Sequence, residues 1–417
     1  MQKPPIDSDR LWNDLMALAA ITDPDKPYTR RSFSPLFLKG RDWLRERFEE
    51  AGLTVRLDTA ANLIGRLDGA GRDATTIVLG SHSDTVPSGG RFDGPAGVLA
   101  ALEVVRAMKA AEYRPRHAIE VVDFLAEEPS EYGLSCVGSR AMAGVLDEKM
   151  LAYTNAGGEN LADAINRVGG DVAQLDRARR SDIAGYLELH IEQGVVLQSN
   201  KVDLGLVTAI VGITRIEVIF EGAADHAGTT LMDYRKDASL AAAQLLLFGS
   251  QRAHAFAARR QGHFVATTGV FEIHPNASNV VPGRARMVFD IRAEDHVMVD
   301  EFLAELDAES KAAAARFGVT RSQFNTLSST KPTICDRHLR AVLKRGAEAL
   351  GYSTMSLASG AGHDAAFVAR IAPSAMLFIP CRDGKSHAPE EWTEKHQAAS
   401  GAATLYEAVR MLDGQNQ

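Results

Sequence analysis

Cysteine is scarce in this 417-residue sequence: three residues, Cys136, Cys335 and Cys381, widely separated and in no CxxC pair. An odd, scattered set excludes a disulfide framework and fits reduced thiols in a cytoplasmic protein. No apolar run reaches the roughly 18 residues that a membrane-spanning helix needs. Basic residues are the minority, 46 Lys and Arg against 54 Asp and Glu, and the formal charge of −8 disfavours nucleic acid or an anionic membrane as a main partner. The opening segment, MQKPPIDSDRLWNDLMALAAIT, lacks the basic-then-apolar order of a secretory signal. Internal repeats and low-complexity tracts are also missing. What remains, 45 % hydrophobic and 24 % charged, is ordinary globular composition, and the length predicts two domains.

Up to about residue 210, strand-like runs alternate with helical segments. TIVLG, AIEVVDFLA and YLELHI are near-continuous hydrophobic stretches, as in strands buried on both faces of an α/β sheet. The spacing predicts helices over Asp42–Glu50 and Pro95–Ala110. Near residue 212 the texture changes to alternation in TRIEVIFEGAAD, then a long helix, strands FVATTGVFEIH and RARMVFDIRA, a second helix and a last strand near SQFNTLSS. This describes a small α+β, ferredoxin-like insert with helices on one face of an antiparallel sheet. The α/β texture returns with SAMLFIP and a terminal helix. The expected plan is an α/β sandwich in two parts, 1–211 and 330–417, interrupted by an inserted domain over 212–329. At a sheet edge the long strand RIEVIFEGAADHAG would expose unpaired backbone, which pairing with a second subunit would cover.

Acids and histidines gather where the strand runs end. His82 and Asp84 follow TIVLGS directly, and Asp93 opens the next helix. Ligands collect at the carboxyl ends of the strands in open α/β sheets, and imidazole suits zinc-like metals. A carboxylate two residues on suits the ring's other nitrogen better than the same ion. The bland reading of Asp93 is a helix cap. Glu127 and Glu128 end the second run, where adjacent carboxylates are costly unless a cation compensates them or solvent reaches them. His190 lies inside the third run, as a structural core histidine could; His387, in GKSHAPEEW, could be a simple loop histidine. Four successive strand ends each offering such a group make those readings fail jointly. His82, Asp93, Glu128, His190 and His387 suit two divalent ions with one bridging carboxylate, and nitrogen and oxygen ligands without cysteine suit Zn, Mn, Co or Ni.

The motifs SHSDTVPSGGRFDGPAGVLA, AEEPSEYG, VGSRAMAG, ELHIEQG, DHAGTTLMDYRKDA, PNASNVVPG, SGAGHDA and SHAPEE, in this order between about residues 60 and 390, resemble the hydantoinase/carbamoylase branch of the M20 metallopeptidase-like amidohydrolases. That branch includes N-carbamoyl-L-amino-acid hydrolases, allantoate amidohydrolases and β-ureidopropionases. The resemblance implies that His82, Asp93 and His190 hold one metal, and Asp93, Glu128 and His387 the other. It implies that Asp84 orients His82 and that Glu127 is the general base. His226, Asn279 and Arg292 in the insert, with Gln193 of HIEQG, match substrate-binding positions. The insert is implied to form a homodimer and to close over the site, with His226 serving the neighbouring subunit. Pro129, Tyr132 and Leu231 depart from the residues usual in the branch, and they bear on which substrate fits rather than on the metals.

The reaction this implies is hydrolysis of a linear ureido or amide C–N bond on a small, carboxylate-bearing substrate. N-acyl-amino-acid amidase or dipeptidase activity with the same metals is the competing enzyme reading. A silent metal-binding scaffold would require a lost ligand or base, and none is lost. A phosphate cradle in PSGGRFDG lacks the P-loop lysine and the GxGxxG spacing.

Overall fold

The computed structural model describes residues 4–71 and 75–414. Its strands are β1 (Thr54–Leu57), β2 (Leu63–Leu67), β3 (Thr76–His82), β4 (Ala118–Phe124), β5 (Ile183–Ile191), β6 (Leu204–Ile210), β7 (Gly212–Glu221), β8 (Asp225–His226), β9 (Phe264–His274), β10 (Val280–Val281), β11 (Arg284–Ala293), β12 (Thr320–Ser329), β13 (Thr333–Ile334), β14 (Thr354–Ser359) and β15 (Ser374–Ile379). The chain divides into two compact units. One runs to Thr208 and takes up Cys335–Ser356 and the chain from His363 onward; the other is Ala209–Ile334 with Leu357–Gly362. The second unit thus reclaims a short segment at the end of β14 that no change of sequence texture announces.

In the first unit the strand order is β1-β2-β4-β3-β5-β15-β6. The four strands β4, β3, β5 and β15 run parallel, flanked by antiparallel β2 and β6. Every residue of β3, β4 and β15 is buried, as their unbroken hydrophobic runs require when helices cover both faces. The helix Pro95–Ala110 packs on β3 and β5. Its close approach depends on Gly97, where a Cβ would lie 2.3 Å from the Leu189 carbonyl oxygen. The helix predicted from Asp42 begins earlier, at Pro35, because the Ser34 hydroxyl accepts from the Phe37 amide and proline suits the first turn. The β1–β2 hairpin, β6 and the helix Arg337–Ala349 have no counterpart in the sequence-based expectation.

The second unit is a four-stranded antiparallel sheet, β12-β7-β11-β9, with the helices Ala238–Ala258 and His296–Arg316. Along β11, Ala285, Met287, Phe289, Ile291 and Ala293 are buried in alternation with half-exposed neighbours. They form one core with Val218 and Phe220 of β7 and Phe256 and Phe302 of the helices. This corrects the expectation of an exposed edge in RIEVIFEGAADHAG: β7 is internal, paired with β11 on one side and β12 on the other. The polar β12 completes the sheet there, and the edges are β12 and β9. Beyond β7 the chain forms a separate two-stranded ribbon, in which Val280 of β10 faces His226 of β8.

Candidate metal centre

Four parallel neighbours deliver the side chains. His82 is the last residue of β3, and His190 the penultimate residue of β5. Glu127 and Glu128 follow β4, and His387 lies in the loop after β15. Asp93 precedes the helix Pro95–Ala110 on a turn that requires glycine at the next position. Gly94 has φ +82°, and a Cβ there would lie about 2.4 Å from the His82 ring.

The two histidines face one carboxylate oxygen. His82 Nε2 is 3.7 Å and His190 Nε2 is 3.2 Å from Asp93 Oδ1. Both nitrogens are buried, and neither has a hydrogen-bond partner among the described residues. Their other nitrogens are engaged: His190 Nδ1 lies 2.9 Å from the Ile191 carbonyl and His82 Nδ1 lies 3.1 Å from the Asp84 carbonyl. These contacts place the protons on Nδ1 and leave each Nε2 lone pair directed at the shared centre, the tautomer a metal ligand needs. On the other side, His387 Nε2 is 3.3 Å from Asp93 Oδ2 and 3.3 Å from Glu128 Oε1. The groups His82–Asp93–His190 and Asp93–Glu128–His387 each place their ligand atoms within 4.8 Å of one another. A donor set of imidazoles and carboxylates around two orphaned Nε2 atoms fits divalent transition ions.

Asp84 has a wider role than the sequence suggested. Its carboxylate is 3.4 Å from His82 Nδ1 and accepts from the backbone amides of Glu127 (3.3 Å) and Glu128 (3.2 Å). It therefore registers the glutamate pair against the β3 turn. Glu127 Oε2 sits 3.6 Å from His82 Nε2 and Oε1 sits 3.6 Å from Cys136 Sγ.

So many buried acids are stable only with positive charge close by. Burial pushes the Glu127 carboxyl well above the usual carboxylate range; His82 opposes this and Glu128 adds to it. Burial also raises Glu128, against the hydrogen bond to His387. Burial would raise Asp93 too, but the His190, His387 and His82 rings hold it well below the ordinary value. Hydrogen bonds to Asp93 and Glu128 push His387 up to about 11.

Residues 78–411 match Peptidase family M20/M25/M40. The chain belongs to this family. A relative named N-carbamoyl-L-amino acid amidohydrolase, from Geobacillus stearothermophilus, is 38 % identical over 410 residues, spanning 98 % of this chain and 99 % of its own. One named ureidoglycolate hydrolase, from Arabidopsis thaliana, is 33 % identical over 410 residues, with 96 % and 85 % covered. Among solved structures, a hydantoinase/carbamoylase family amidase from Burkholderia ambifaria has a TM-score of 0.90 at 35 % identity over 99 % of both chains.

The other residues singled out in this M20-family chain lie as follows. Gln193 donates through Nε2 to Asp93 Oδ2 at 2.7 Å, while its buried Oε1 has no hydrogen-bond partner among the described residues. In the second unit His226 is exposed, and its Nδ1 accepts from the amides of Gly228 (3.0 Å) and Thr229 (3.2 Å). Asn279 adjoins it, since the Asn279 carbonyl accepts from the Ala227 amide. Arg292 donates to Asp290 Oδ1 and to the Gly360 carbonyl, each at 2.9 Å. Tyr132 points its hydroxyl at Glu159 Oε2 (2.6 Å), which a bidentate pair ties to Arg167.

His363 and Glu188 lie within SGAGHDA and ELHIEQG, but sequence reasoning gave neither a role. The His363 ring lies 4.6 Å from the His190 ring, and Glu188, His190 and His363 form a further buried ligand group. Glu188 was legible, because it stands two residues before His190 on a strand and so shares its face.

Proposed function

We propose that the chain is a two-metal amidohydrolase that cleaves the linear C–N bond of an N-carbamoyl-L-amino acid or a related, allantoate-like ureido acid. The observation that carries the reading is Asp93, whose two oxygens face two separate ligand sets. His82 and His190 would hold one divalent ion and His387 and Glu128 the other, with Asp93 shared. Such ions, when bound, lower the pKa of water and polarise a carbonyl.

Everything else falls to the chain's own side chains. Glu127 belongs to neither of the two candidate ligand sets and would be left free of the ions. Its Oε2 takes the proton of the attacking water and returns it to the leaving nitrogen, one residue acting as base and then acid. The amides of Gly228 and Thr229 occupy His226 Nδ1, which leaves Nε2 to donate to a developing oxyanion; such donors are worth about 3 to 4 kcal/mol. The Arg292 fork suits a substrate carboxylate, and Asn279 and Gln193 Oε1 add polar contacts.

The insert acts as a lid and dimerisation domain in this reading, and the β7–β11 register supports a shared site. Arg292 is opposite Ile213 at the start of β7, whereas His226 lies beyond Glu221 at its end. Eight residues of strand span roughly 26 Å at about 3.3 Å each. That placement at opposite ends of β7 favours a reading in which His226 comes from a second copy.

The test is a panel of N-carbamoyl, N-acyl and ureido acids offered to metal-reconstituted protein. Release of ammonia and carbon dioxide from N-carbamoyl substrates supports the proposal. Release of carboxylic acids from N-acyl substrates alone, or cleavage of dipeptides alone, replaces it with the amidase or dipeptidase reading.

A further inference from the structure

Asp93 can face two ligand sets only if its backbone is held still, and its own side chain cannot do that holding. Oδ1 looks toward His82 and His190, and Oδ2 toward His387. Oδ2 also lies 2.7 Å from Gln193 Nε2 and 2.5 Å from Ser386 Oγ. Behind this layer sits Glu391, fully buried. Its Oε1 accepts from the amides of Phe92 (2.7 Å) and Asp93 (3.1 Å), and its Oε2 lies 2.9 Å from Ser386 Oγ.

One carboxylate thus grips the turn that carries Asp93 and the loop that carries His387. The seat is shaped for it: a Cβ on Gly90 would fall 1.9 Å from the Glu391 carboxyl carbon. Ring contacts fix the backbone on both sides, with Phe92 5.6 Å from Trp392 and 5.6 Å from Trp12. His387 has φ 54° and Gln193 has φ 56°, left-handed conformations that non-glycine residues keep only when their surroundings hold them.

We infer that Glu391 is a positioning residue of the metal centre: through two backbone amides and the Ser386 hydroxyl it sets Asp93 between the two ligand sets and registers the His387 loop to it. This rests on the reading of Asp93 as the shared ligand. A glutamine should serve as well as the glutamate. Ser386 has one proton and two carboxylates within reach; a glutamine at 391 would donate to Ser386 Oγ, freeing that proton for Asp93, while its oxygen accepts the two amides.

The experiment strips the full-length protein with a chelator and titrates Zn²⁺ against a competing chromophoric chelator, with circular dichroism confirming the fold of each variant. Glu391→Ala should weaken metal binding about 10- to 100-fold, the range for groups that orient metal ligands. Gly90→Ala, which removes no polar group but displaces the carboxylate, should do the same, and Glu391→Gln should keep wild-type affinity. Folded Glu391→Ala or Gly90→Ala with wild-type affinity overturns the inference, as does Glu391→Gln binding as weakly as Glu391→Ala. Should Glu391→Ala not fold, Ser386→Ala decides: weakened binding supports the link and unchanged binding overturns it. A wild-type protein that binds no divalent ion refutes the metal centre itself, an outcome distinct from any of these.

Discussion

Glu127 and Glu128 are neighbours in sequence with different surroundings, and that difference divides their roles. Glu128 Oε1 joins His387 and Asp93, while Glu127 lies between His82 and the Cys136 thiol. Glu127→Gln should keep its metal and lose about 10² to 10⁴ in turnover. Glu128→Gln should lose metal occupancy first, and elemental analysis beside steady-state rates separates the two; reversed phenotypes would exchange the assignments. His387 gives a second test at this scale. In metal-free protein it is held at about 11 against the ordinary imidazole value of 6.5. A raised folded-state pKa stabilises fully below 6.5, and the contribution fades as pH climbs toward 11. Melting temperatures of metal-free protein should fall across that window, and those of His387→Ala should fall less; parallel curves would contradict the pairing with Asp93 and Glu128. His82, Asp93, Glu128, His190 and His387 stood out in the sequence because each lies at the end of a strand-like run or in the segment that follows one, and the structure groups them. Glu391 closes SHAPEE, but its role was not readable there, since what marks it is contact with residues some 300 positions earlier in the chain, Phe92 and Asp93.

The helix Pro95–Ala110 is buried almost throughout and carries Asp93 at its entrance. Its position depends on Gly97 lying against Leu189 O and Ser81 Cβ. Gly97→Ala overfills that contact and should cost about 1 to 3 kcal/mol by urea unfolding. Metal affinity should drop with it, because the helix can relieve the clash only by moving away from β3 and β5. Loss of stability with metal affinity unchanged would mean that the strands give way instead. The hydrophobic strands and long helices were readable from periodicity. The β1–β2 hairpin was not: TVRL and LIGRL are four and five residues long and half-exposed at alternate or terminal positions, too little pattern to stand out. The helix Arg337–Ala349 did have the signal, with Leu339, Val342, Leu343, Gly346 and Ala347 buried on one stripe. The internal placement of β7 could not be read locally, because strand order depends on which polar segment pairs beside it.

At the scale of the molecule, the α/β texture, its interruption and its return were visible in the chain, while the return of Leu357–Gly362 to the second unit is a tertiary fact. The placement of Arg292 and His226 beyond opposite ends of β7 predicts, for the proposed dimer, complementation between subunits. His226→Ala and His82→Ala should each be inactive alone, and their mixed dimers should recover part of the activity, since one site then combines intact halves. Mixed dimers as inactive as either parent would place His226 in its own subunit's reaction. The central claim is that the acids and histidines at four parallel strand ends form a two-metal hydrolytic site. The most direct measurement is a titration of exhaustively chelated protein with Zn²⁺ or Mn²⁺, following hydrolysis of an N-carbamoyl-L-amino acid beside bound metal. The account predicts no turnover in stripped protein and full recovery as occupancy approaches about two ions per chain. Full turnover in protein free of metal would contradict it.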